Sequence, residues 1–240
     1  MEMNIASFAE RVFEAASAAG IAPAEIAYTQ SEAFSVRMRR GDMEDYQVSE
    51  RLSLTLRGRV NGRIGTSSTQ ALDEESIGLL VRGVAESAQL IETDEQDDIL
   101  PPDERYGTVC NDASALDTLR AEDKIALARK IDALMQNRDP RITPDDTVVA
   151  SADEVFCLKN TLGLDLSHHS NMLYAYTGAL AKEGDRAATG FEIRWGYSLD
   201  AIDPEALAEA CCQDALAKLN AGRLKSGTYP VVIRNAAMAD

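Results

Sequence analysis

The stretch from Leu52 to Thr69 constrains the fold of this chain more than any other. Leu52, Leu54 and Leu56 alternate with Ser53, Thr55 and Arg57, the two-residue period of a strand with one buried face. Asn61-Gly62, flanked by Val60 and Ile64, suits the positive φ angles of a tight hairpin. The chain is therefore expected to turn there and return through Arg63–Thr69. Upstream, Phe34, Val36 and Met38 alternate with Ser35, Arg37 and Arg39, and Gly41-Asp42 marks another turn before Met43–Ser49. Residues 33–69 thus read as an antiparallel meander with one apolar face, and helices must cover that face.

The flanks supply them. Ile5, Phe8, Ala9, Val12, Phe13 and Ala16 follow helical spacing, and Gly20 is placed to stop that helix. Glu25–Gln30 reads as a separate strand ahead of the meander. Asp73 begins a second helix to about Ile91, with Ile77, Leu80, Val81, Val84, Ala88 and Leu90 or Ile91 inward; Asp73 is a good N-cap and Glu75 suits the helix dipole. Residues 1–92 then form one helix-meander-helix unit.

Residues 93–120 read as an extended connection. It is rich in acids around residues 92–98, and Pro101-Pro102 bars helix. An EF-hand is excluded there, because the ligand oxygens, the central glycine and the closing glutamate are out of register. Residues 121–226 form a second α+β half. Its first helix runs from Ala121 to Asn137, with Ile125, Leu127, Ala128, Ile131, Leu134 and Met135 as candidates for burial, and Asp139-Pro140 ends it. Strands follow over 147–158, 165–181 and 186–197, with turns at 159–164 and 183–185. A last helix opens at Asp203-Pro204-Glu205, with Asp203 as its N-cap, and reaches about Leu219, with Leu207, Ala210, Cys211, Ala215 and Leu219 inward. A fresh strand is expected at Gly227–Ile233, so residues 227–240 read as the start of a further domain absent from this chain. The fold class is α+β: an antiparallel sheet covered by helices, with a second strand-rich antiparallel half continuing it and no parallel doubly wound sheet.

Composition narrows the function. The 240 residues are 45% hydrophobic, enough for a sizeable core, and no run approaches a membrane span. The N-terminus lacks the basic start of a secretory signal, which makes the cytoplasm the expected location. A net charge of −16 argues against a face that grips nucleic-acid phosphates. Cys110, Cys157, Cys211 and Cys212 form no C-x-x-C pair and read as small buried residues.

Chemistry-bearing motifs are sparse. His168 and His169 are adjacent in an extended segment, where neighbouring side chains point to opposite faces, so they do not readily share one metal. One is expected to face solvent and the other to be packed or hydrogen-bonded. The glycines of 58–65 do not lead a strand into a helix, as a phosphate cradle must. Ser67, Ser68 and Thr69 lack an obvious base. Arg57, Arg59 and Arg63 make a basic rim beside the hairpin, suited to a solvated strand face or an acidic partner.

Several segments, in order along the chain, resemble the N-terminal part of the TldD/PmbA family, also called modulators of DNA gyrase. They are Ala24–Tyr28, Ser35–Glu44, Leu54–Thr69, Asn160–Gly163, the strands between Gly178 and Gly190, and Gly227–Ile233. The resemblance is closer to the PmbA (TldE) type than to TldD. It implies a heterodimeric metallopeptidase of TldD and TldE chains that trims peptides, microcin precursors and an antitoxin among them. It places zinc on an H-E-x-x-x-H motif and a later cysteine in the C-terminal part of TldD-type chains. No catalytic or metal-binding residue is therefore assigned here, and no cofactor is expected in this chain. The implied role is a scaffold and cleft wall, with a TldD-type subunit or a second copy as partner and a peptide as substrate. Asn160 and Gly163 are the candidate peptide contacts. The alternative is a non-enzymatic protein that modulates gyrase or binds an antitoxin, a link resting on the family's name alone.

Overall fold

A computed structural model of the chain describes residues 4–91, 98–107, 114–136, 138–222 and 224–233. Helix α1 (Ile5–Ala18) is followed by strands β1 (Ala24–Arg39), β2 (Asp42–Val60) and β3 (Arg63–Thr69), then helix α2 (Glu74–Leu90). After the short helix α3 (Ser114–Asp117) come helix α4 (Ala121–Met135), strands β4 (Ile142–Asn160), β5 (Asp165–Glu183) and β6 (Arg186–Gly196), and helix α5 (Pro204–Leu219). All pairings are antiparallel, in one sheet ordered β3-β2-β1-β4-β5-β6. The α+β reading holds, and the two strand-rich halves meet edge to edge through β1 and β4. Each half is a helix, three strands and a helix, so the chain is two copies of one unit about a local two-fold between its central strands.

The elements end where local chemistry ends them. The Asn4 carboxamide accepts from Ser7 N at the start of α1, and Asp73 does the same for Ser76 N at the start of α2. The hairpin at Asn61-Gly62 has both residues at positive φ, 50° and 84°. Three strands are longer than expected. Glu25–Gln30 and the first meander strand fuse into one 16-residue β1, because β2 and β4 pair with it continuously on both sides. Strand β2 runs unbroken from Asp42 to Val60. Strand β4 starts at Ile142, ahead of Pro144, and its register shifts between Pro144 and Thr147.

All four long helices pack on one face of the sheet. Helices α1 and α2 cover Ile26, Tyr28, Leu54 and Leu56 at one end. Helices α4 and α5 cover Phe34, Val36, Val149, Leu173 and Ala175 towards the other. Leu54 and Leu56 are fully buried, and side chains of that size contribute roughly 1.5–3 kcal/mol each. On the opposite face, Phe191 and Trp195 are 54% and 61% exposed. No helix among the described residues is long and apolar enough to cross a membrane.

Three expectations change. Residues 224–233 pair with no strand of the described residues, and Val232 is 97% exposed. The strand expected at Gly227–Ile233 is therefore corrected, since extended backbone becomes strand only by laddering with a neighbour. Leu90, one of two alternatives for burial, is 80% exposed at the last turn of α2. Ala208 joins the buried stripe of α5, and Ala210 is only half-buried. The acidic residues 92–97 and Cys110 lie outside the described residues.

The α5 cysteines are buried, as read from the sequence. Cys211 donates to the Thr177 carbonyl at 3.2 Å. Burial, assisted by Cys212 and nearby acids, pushes its thiol up to about 12, and burial also raises Cys212. The thiolate is the nucleophile, so at pH 7.5 the reactive fraction of Cys211 is on the order of 10⁻⁴ or less. In a chain carrying Cys110→Ser and Cys157→Ser, a disulfide reagent should find almost no native thiol at pH 7.5 and two after unfolding. Rapid modification of the native protein would contradict this burial.

Candidate functional site

Long strands carry the sheet beyond its helical cover, and a cavity of about 330 Å³ opens at mid-sheet on the helix-bearing face. Alternation along β1 puts Glu32 and Phe34 on the same face as Ile26 and Tyr28. Beside Phe34 on β2 is Val48, and Tyr46 packs edge-on against the Phe34 ring with centroids 5.5 Å apart at 87°. From β4 come Ser151 and Asp153, and from β5 Asn171. Helices α3 and α4 close one side with Leu116, Asp117 and Lys124.

Lys124 gives the cavity its cation. The first turns of α4 project its side chain over the sheet, where Nζ lies 4.7 Å from the Phe34 ring centre and donates to Ser151 Oγ at 2.6 Å. Burial lowers its pKa below the usual lysine value. Three carboxylates, Glu32, Asp117 and Asp153, line the same space. Two have internal partners: Asp117 Oδ1 accepts from Asn171 Nδ2 at 2.6 Å, and Asp153 Oδ2 lies 2.8 Å from His169 Nε2. Glu32 is exposed and makes no hydrogen bond or ion pair among the described residues. It also stands directly between Glu50 on β2 and Asp153 on β4. Like charges directly opposite across strands are unfavourable.

Asp117, Asp153 and His169 each offer a ligand atom, all within 4.8 Å of one another. Ligand atoms around a tetrahedral divalent ion stand roughly 3.4 Å apart for metal bonds of about 2.1 Å. The Asp153 Oδ2–His169 Nε2 pair, at 2.8 Å, would have to part to admit an ion between them. His168 and His169 do point to opposite faces, and one of them, His169, is hydrogen-bonded, as their adjacency implied.

Asn160 and Gly163 lie elsewhere, at the β4–β5 turn. Asn160 is eight positions along β4 from Ala152, roughly 25 Å at the usual strand rise. Its side chain is inward and 4% exposed. Oδ1 accepts from Leu162 N and Leu164 N at 2.9 and 3.1 Å, and Nδ2 donates to the Leu100 carbonyl at 2.8 Å. Gly163 forms the exposed tip with φ at +102°. The mid-sheet residues were not singled out from sequence. The available signal was Glu32, an acid in the same register as the buried Ile26, Phe34 and Val36.

Two family models match the chain: PmbA/TldA metallopeptidase domain 1 over residues 24–88, and the PmbA/TldA metallopeptidase central domain over residues 115–219. No curated protein matches the sequence significantly. Among solved structures, one from Thermotoga maritima, described as a candidate modulator of a DNA gyrase, superposes with a TM-score of 0.81 at 18% identity. The match covers 93% of this chain and 50% of that one. A similarly described protein from Bacteroides thetaiotaomicron gives 0.82 at 19% identity, covering 93% and 52%. TldE from Thermococcus kodakarensis gives 0.76 at 16% identity, covering 87% and 47%. At these identities the likeness shows the fold. The chain spans about half the length of each of these structures.

Proposed function

The chain belongs to the PmbA/TldD metallopeptidase family, with a PmbA/TldE-like fold, and on that premise we propose that it is the N-terminal, cleft-forming part of a TldE-type subunit in a zinc-dependent peptidase complex. The reading is carried by the two metallopeptidase domain models, which fall in order on the two halves of the sheet. On this reading the chain shapes peptide access, and bond cleavage belongs to zinc held in the C-terminal domain of a TldD-type partner. The substrate is a peptide such as a microcin precursor or an antitoxin, and the complex works in the cytoplasm. The Asn160–Leu164 turn borders the peptide path through its Gly163 tip, the Asn160 amide being engaged within the turn.

Mixing the chain with a TldD-type subunit tests this. The expected result is a co-eluting pair that cleaves an unstructured peptide, chelator-sensitive cleavage, and no stoichiometric zinc in the isolated chain. One tightly held zinc per isolated chain, or cleavage without the partner, would overturn it. A second reading follows from the names of two of the structural relatives: a non-enzymatic modulator of DNA gyrase. Capture of gyrase at physiological salt, with no cleavage after adding the TldD-type subunit, would favour it.

A further inference from the structure

We propose that the mid-sheet cavity bounded by Lys124, Glu32, Asp153 and the Phe34–Tyr46 pair captures the free amino terminus of a peptide. The inference rests on the peptide-handling reading above and names the part of the substrate that this chain holds.

The cavity, about 330 Å³, is at the lower end of the roughly 300–1,000 Å³ typical of ligand sites. Its polar groups have two poles. One is acidic: exposed Glu32 has no partner among the described residues and is flanked by Glu50 and Asp153 on the neighbouring strands. An ammonium placed there would neutralise a row of like charges that the sheet otherwise leaves opposed. The other pole is Lys124. One of its N–H groups goes to Ser151, leaving donors for a carbonyl oxygen. Between the poles stand Phe34, Tyr46 and Val48, an apolar wall for a side chain. A peptide's first residue presents these groups in one unit: an ammonium, a side chain, and a carbonyl one bond beyond the α-carbon. A carboxy terminus fits poorly, because three carboxylates outnumber the one ammonium. Capture of a peptide's terminal amine is a recurrent mode of peptide recognition.

The test is calorimetric titration of the chain with the amide of Leu-Gly-Gly, beside its N-acetylated form and an N-acetylated Gly-Lys-Gly amide. The free-amine peptide should bind, and acetylation should weaken it at least about tenfold, since charge-assisted hydrogen bonds are lost. Glu32→Gln should reproduce that loss for the free-amine peptide and leave the acetylated one unchanged, and Lys124→Met should weaken both. Far-UV circular dichroism checks that each variant folds, and the comparison of ligands stands without variants. Equal binding of the acetylated peptide, or no binding of any, would overturn the proposal. So would equal binding of the acetylated lysine peptide, which would show that the cavity reads a lysine side chain instead. Failure of the TldD-type mixture to cleave, with titrations as expected, counts against the complex alone. Acetyl-insensitive titrations beside normal cleavage count against the pocket alone.

Discussion

Replacing Gly190 by alanine is expected to lower stability by about 3 kcal/mol, with Gly65→Ala costing a similar amount. A Cβ on Gly190 would lie 2.4 Å from the Cys211 carbonyl oxygen and 2.6 Å from Ala215 N. A Cβ on Gly65 would lie 1.9 Å from the Val84 carbonyl oxygen and 2.9 Å from Ala88 N. Neither glycine is at positive φ, so the demand comes from helix-to-sheet approach and not from strand conformation. Overpacking in a core costs roughly 1–3 kcal/mol when side chains can move aside. Here the obstacle is helix backbone, so α5 or α2 must lift as a body, which puts the cost at the top of that range. For a chain of this size the melting temperature should fall by about 6–12 °C, at roughly 2–4 °C per kcal/mol. Gly78→Ala is the control. It lies on the exposed side of α2 with nothing within 4 Å, and should stabilise by roughly 0.5–1 kcal/mol. A Gly190→Ala protein with an unchanged melting temperature would mean that α5 does not sit at this distance.

These two glycines also show what was legible in the sequence. The alternation of Leu52–Leu56, the Asn61-Gly62 turn, the caps at Asp73 and Asp203 and the helical stripes are local signals, and the structure follows them. Gly65 and Gly190 hold equivalent places, one in each copy of the helix-strand-strand-strand-helix unit. No local pattern marks that equivalence, because the repeat lies in topology and close approach and not in shared side chains. The length of β1 was hidden for a similar reason. Ser31 and Glu32 look like a break, yet both neighbouring strands pair straight through them. The mid-sheet cavity is the least legible feature. Lys124 is 90 positions from Phe34 in sequence, and their contact exists only once β1 and β4 have joined the two halves.

Asn160→Ala, at the end of β4, should lower stability by about 3 kcal/mol. The side chain does three things at once. Its oxygen holds two main-chain N–H groups, of Leu162 and Leu164, and its NH₂ holds the carbonyl of Leu100. Alanine leaves these groups unpaired in a partly buried site, and each such loss costs on the order of 1 kcal/mol or more. Asn160→Asp separates the parts, because the carboxylate can still accept from Leu162 and Leu164 but cannot donate to Leu100. It should recover part of the lost stability while still releasing the 98–107 segment, visible as faster protease cleavage there in both variants. Arg59 ion-pairs with Asp98, so the segment keeps one anchor in either variant. The same pair of variants tests whether Asn160 touches a peptide. If the amide serves the turn alone, cleavage by the assembled complex should fall only in step with the folded fraction. A variant that keeps its melting temperature and its protease resistance but raises the KM for peptide would make Asn160 a direct contact, and would displace the turn-holding account.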